Sequence, residues 1–79
     1  MFKKRIGPDP HIEGGKTTAA AGCPDIWELE NGDIAVIGIR KTSVLSANLP
    51  NSAGCGPDEE IVILPRDLIR KAAKDISNL

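Results

Sequence analysis

The clearest hydrophobic pattern in the chain is a pair of strand-like runs that meet at Asn31-Gly32. Apolar and acidic positions alternate over residues 26–30, as in a strand with one buried face. Residues 33–39 are almost continuously apolar, as in a strand covered on both faces. Because Asn-Gly favours a two-residue type I′ turn, the runs predict a β-hairpin in which Trp27 lies opposite Val36.

Three further elements follow the hairpin. Residues 40–50 predict one or two helical turns, and residues 50–58 predict a loop because they are dense in Gly, Pro and Asn. Residues 60–65 predict another apolar strand, which we expect to pair with residues 33–39 in an orientation that the sequence leaves open. Apolar positions at helical spacing predict a C-terminal helix over residues 66–77.

The N-terminal segment differs from the rest of the chain. Residues 1–22 show neither a strand period nor a helical period, and we expect a flexible tail. Residues 23–79 predict one small α+β domain. Its expected core is a three-stranded sheet, formed by the hairpin and one more strand, with a short helix and the C-terminal helix packed on one face.

The hairpin also predicts an interface. Glu28 and Glu30 look like charges that protect an edge strand, whereas the following strand is apolar on both faces. One helix covers only one face of a sheet, so we expect the other face to bind a second copy of the chain or another protein. The candidate interface residues are Trp27, Ile34, Val36, Ile37 and Ile39.

Charge gives a weaker, alternative prediction. The net charge of −1 excludes a strongly basic surface, although residues 1–22 carry +2 and residues 23–79 carry −3. A cluster on the C-terminal helix provides candidate nucleic-acid contacts, and Asp67 and Asp75 interrupt it. The members of this cluster are Arg66, Arg70, Lys71 and Lys74.

The residues suited to chemistry are few. Cys23 and Cys55 lack a Cys-x-x-Cys spacing, and His11 is the only histidine, so we expect no metal, cofactor or catalytic site. Cys55 lies between two glycines and is a candidate reactive thiol. Free thiols and a Cys23–Cys55 disulfide both stay open.

The chain predicts a cytoplasmic protein without a membrane segment. Its basic start, Met-Phe-Lys-Lys-Arg, is not followed by the apolar region of a signal peptide. No apolar run approaches the roughly 20 residues of a membrane span.

Two resemblances bear on function. The string CPDIWELENGDIAVIG, from Cys23 to Gly38, together with residues 53–66, resembles small actinobacterial proteins, especially those of Streptomyces. That family has no established activity, so the resemblance implies a cytoplasmic actinobacterial origin and assigns no functional residue. Such proteins are encoded close to helix-turn-helix regulators, which favours a regulatory or interaction role.

A second resemblance involves residues 61–70, which are similar to the strand, Pro, basic, acidic, Leu pattern of AbrB-type antitoxins and regulators. Those proteins interlock as dimers and bind DNA through basic residues, although here the strand order differs. We therefore predict a non-enzymatic interaction or regulatory module that self-associates through an open sheet face. The alternative is a dimeric DNA-binding regulator or antitoxin that uses the basic C-terminal helix.

Overall fold

A computed structural model of the chain describes residues 1–10 and 24–79. It has the α+β fold expected from the sequence, with a three-stranded antiparallel sheet, a short helix and a C-terminal helix. The elements are β1 (Phe2–Arg5), β2 (Asp25–Leu29), β3 (Ile34–Ile37), β4 (Ile39–Arg40), α1 (Thr42–Leu45), a 3-10 turn (Ser46–Asn48), β5 (Val62–Ile63) and α2 (Arg66–Ser77).

The first correction concerns the N-terminal segment. Phe2–Arg5 form β1, which pairs antiparallel with β2, so the expectation of a flexible tail is wrong for these residues. The physical reason is charge and burial together: Lys4 lies opposite Glu28, and the following Ile6 is 1% exposed. Residues 11–22 of the expected tail, and Cys23, lie outside the described residues.

The second correction concerns the order of strands. The sheet order is β1-β2-β3, so β2 is central and β3 is an edge, the reverse of the prediction. The third strand of this sheet is β1 rather than residues 60–65. Within residues 60–65 only Val62–Ile63 form a strand, which pairs antiparallel with β4 in a separate two-stranded sheet.

The turn of the hairpin is one residue longer than predicted. The Leu29 carbonyl accepts the Gly32 N–H at 3.0 Å, and the Leu29 N–H donates to the Asp33 carbonyl at 2.8 Å. Gly32 alone in this turn has a positive φ, 93°, which fits a three-residue loop with a glycine bulge rather than a type I′ turn. The register therefore slips by one residue, and Trp27 lies opposite Ala35 instead of Val36.

The described core is small. Its buried apolar residues are Ile6, Ile26, Leu68 and Ala72, and Leu64 packs against them. Ile26 comes from the central strand, and Leu68 and Ala72 lie one turn apart on α2, so α2 covers the face of the sheet that carries Ile26. The C-terminal helix begins and ends where the sequence predicts, at Arg66 and Ser77.

Gly7 sets how closely the N-terminal segment approaches α2. Its φ is +84°, and a Cβ placed on it would lie 2.9 Å from the Cβ of Ala72. The Gly7 N–H donates to Oδ2 of Asp75 at 2.8 Å. Because only glycine combines this backbone conformation with this spacing, Ile6 can enter the core beside Ala72.

Gly38 allows a second close approach. A Cβ at this position would lie 2.5 Å from the carbonyl oxygen of Ile63, so the glycine lets the end of β3 run against β5. A glycine inside an apolar strand indicates either a bulge or the close approach of another backbone, and Gly38 has the second role.

We expect Gly7→Ala to destabilise the fold by about 2–4 kcal/mol, because it adds positive-φ strain to a backbone clash. Gly32→Ala is the matched control, since its φ is also positive but nothing lies within 4 Å of the added Cβ. Urea unfolding at one protein concentration compares the two variants. Equal losses of stability would contradict the role of the Ala72 contact.

Candidate functional site

The predicted interface residues surround β3, where they are unusually exposed. Ile34 and Val36 are each 43% exposed, Ile37 is 54% exposed and Ile39 is 62% exposed. All four are large aliphatic side chains within six consecutive residues, Ile34 to Ile39, and each of them lies in a strand. A surface of this kind is typical of binding sites rather than of a finished monomer surface.

The structure divides these residues between the two faces of the sheet. Ile34 lies opposite Glu28, and Val36 lies opposite Ile26, so both side chains project on the face that α2 covers. Ile37 lies opposite Asp25 and projects on the other face, with Trp27. The sequence predicted a single uncovered face of the sheet. The structure instead has an apolar edge whose side chains project on both faces.

One side of the β3 backbone points away from β2. In an antiparallel pair, residues alternate between those bonded to the partner strand and those whose N–H and C=O groups point away. Leu29 and Asp33 form a bonded position, so Ala35 and Ile37 bond to β2 and the peptide groups of Ile34 and Val36 point outward. Within the described residues, the sheet has no strand beyond β3.

Trp27 lies in a cluster that sequence reasoning missed. The Arg5 guanidinium lies 4.4 Å from the centroid of the Trp27 ring, and Phe2 meets the same ring edge-on at a centroid distance of 5.7 Å. Arg5 donates to both oxygens of Asp25, through Nε at 3.0 Å and Nη2 at 3.1 Å, and through Nη1 to Asp9 at 3.0 Å. Trp27 is half-buried, with Arg5 and Phe2 packed against its ring.

In this cluster the positive charge of Arg5 is paired with the carboxylates of Asp25 and Asp9. Burial alone would raise the pKa of Asp25, but hydrogen bonds from Arg5 and Trp27, the Arg5 charge and the Ile26 N–H hold that pKa below its ordinary value. Asp25 is 7% exposed, so its carboxylate is a buried anion with a dedicated cation. This geometry stabilises the β1–β2 pairing and leaves no group free for acid–base chemistry at Asp25.

The predicted nucleic-acid contacts all lie on the exposed part of α2. Lys71 pairs with Asp67 at 3.1 Å, as their spacing on a helix predicts, and this leaves Arg66, Arg70 and Lys74 as the remaining cations of the cluster. The Asp75 carboxylate is turned toward Gly7. One of the two acidic interruptions is thereby partly buried and engaged by the backbone of Gly7.

Cys55 lies half-buried at an open cavity of about 450 Å³. The residues that line the cavity are Leu49, Gly54, Cys55, Glu59, Glu60 and Ile61. The Cys55 thiol donates to the Glu59 carbonyl at 3.4 Å, and the charged side chains in the cavity wall are carboxylates. Activated cysteines lie beside cations or helix N-termini, so this environment argues against a reactive thiol.

Within residues 1–10 and 24–79, no three Cys, His, Asp or Glu side chains are placed to share a metal ion. In the same part of the chain, the helices are too short and too polar to cross a membrane. Comparisons of the chain with protein-family models, curated proteins and solved structures give no match. The two resemblances drawn from sequence stay predictions.

We expect Asp25→Asn to destabilise the fold by about 1–3 kcal/mol at neutral pH, because it removes the partner of a partly buried guanidinium. The native pKa of Asp25 is lowered, so its contribution is present above the unfolded-state pKa of about 4 and is lost as the pH falls through the native pKa. The difference from the unmodified chain should therefore shrink in acid.

Urea unfolding over a pH series measures this difference. Asp67→Asn is the control, since that carboxylate is exposed and pairs only along α2. A difference for Asp25→Asn that stays constant from neutral to acidic pH would show that charge is not its source.

Proposed function

We propose that this protein is a small non-enzymatic interaction module, with a regulatory role, that self-associates through the apolar surface around β3. The observation that carries the proposal is a contrast among the described residues. Four of them form the buried apolar core, whereas Ile34, Val36, Ile37 and Ile39 form an exposed aliphatic run. Burying those side chains would stabilise an assembly by roughly 25 cal/mol for each Å² of apolar surface.

The short length of the chain also supports this proposal. A chain of 79 residues has little apolar surface to bury, and small domains of this kind often gain stability from a second subunit. Here the apolar residues left exposed on β3 and β4 outnumber those that these strands place in the core. We propose that the protein acts in the cytoplasm, as the sequence predicts.

The test is the oligomeric state. We expect the purified chain to be a dimer at tens of micromolar by sedimentation, and Ile37→Lys with Ile39→Lys to weaken dimerisation at least tenfold, or about 1.4 kcal/mol. Val44→Lys is the matched control, because Val44 is 61% exposed but lies on α1, outside the proposed interface. A folded monomer at tens of micromolar would contradict the proposal.

A second candidate function is DNA binding by α2. The inward turn of Asp75 favours it, because the outer side of the helix is more basic than its sequence suggests. Salt-dependent retention on duplex DNA that is lost in Arg66→Ala with Arg70→Ala, but kept in Lys71→Ala, would support this function. If both variants are retained on DNA as strongly as the unmodified chain, α2 is not the DNA contact.

A further inference from the structure

We propose that a second copy of the chain binds the outer edge of β3 by antiparallel strand pairing, so that two three-stranded sheets join into one. The inference rests on the proposed self-association and specifies its geometry. It uses the backbone of Ile34 and Val36, whose N–H and C=O groups point away from β2.

The two edges of the sheet differ in a way that selects β3. The β1 edge carries Lys3 and Lys4, and its register shifts between Phe2 and Lys4. Charges and bulges of this kind prevent further strand pairing at an edge. The β3 edge has neither protection: its four residues are Ile, Ala, Val and Ile, and its pairing with β2 is regular.

Charge complementarity selects an antiparallel second copy as the occupant. Asp33 directly precedes β3, and Arg40 and Lys41 end the extended segment; the side chains of all three are exposed. Antiparallel pairing centred on Val36 places Asp33 of each copy opposite Ile39 of the other, so that Asp33 lies next to the position of Arg40. Parallel pairing would instead place like charges side by side, which is unfavourable.

The side chains fit the same arrangement. In a pair centred on Val36, the two copies of Val36 meet on the face that carries α2, next to Ile34. On the opposite face, Ala35 is small and leaves room between the copies of Ile37. Both α2 helices then lie on one side of the joined sheet, and the outward-pointing peptide groups of Ile34 and Val36 in the two copies bond to each other.

The test exchanges the charges at the ends of the segment. One variant carries Asp33→Lys and the other carries Arg40→Glu with Lys41→Glu. Each variant alone places like charges together, so we expect its dimer dissociation constant to rise about tenfold. Mixing the two variants restores opposite charges at both ends, and native mass spectrometry should show more heterodimer than the statistical half.

Oδ2 of Asp33 accepts a hydrogen bond from the side-chain amide of Asn31, and the Asp33 N–H donates to Oδ1 of Asn31, so substitution of Asp33 affects the turn. The variant with Arg40→Glu and Lys41→Glu leaves the turn intact. Alone, it should lose affinity at low salt and regain part of it at high salt, because salt screens the repulsion.

The outcomes separate this inference from the proposed function. Dimers of unchanged strength in both variants, or a statistical mixture of the two, would overturn pairing at β3 and leave self-association standing. An unmodified chain that stays monomeric would overturn both.

Discussion

The contact between Gly7 and Ala72 is the constraint on which the rest of the structure depends. It lets the chain that leaves β1 lie against α2 at a distance that no other residue allows, and the Gly7 N–H bond to Asp75 fixes the contact. Through it, Ile6 reaches the core and β1 is held beside β2. Once β1 occupies that side of β2, β3 is the other edge of the sheet within residues 1–10 and 24–79.

This arrangement explains how the two edges came to differ. Lys4 of β1 lies opposite Glu28 of β2, and Arg5 is held by Asp25, Asp9 and the Trp27 ring, so the charge of Arg5 is satisfied within the chain. The other side is apolar, and the described part of the chain places no strand beyond it. We infer that assembly, rather than chemistry at a pocket, is what this fold is arranged to support.

The sequence predicted α2 and the hairpin strands because periodicity is a local signal. It missed β1 because four residues, three of them basic, carry no readable period, and the positive-φ role of Gly7 depends on a partner 65 residues away. The charge distribution did contain a usable signal. The net charge is +2 over residues 1–22 and −3 over residues 23–79, and opposite charges favour cross-strand pairs such as Lys4 with Glu28. The hairpin register was missed for another reason, since Asn31-Gly32 suits both a two-residue turn and a three-residue loop with a glycine bulge.

Amide hydrogen exchange at individual residues tests the proposed assembly most directly. Ala35 and Ile37 bond to β2 and should be protected at every protein concentration, whereas Ile34 and Val36 should gain protection only as the chain associates. This result would place the second copy on the outer edge of β3. Rapid exchange at Ile34 and Val36 under conditions where the chain is fully associated would contradict the account.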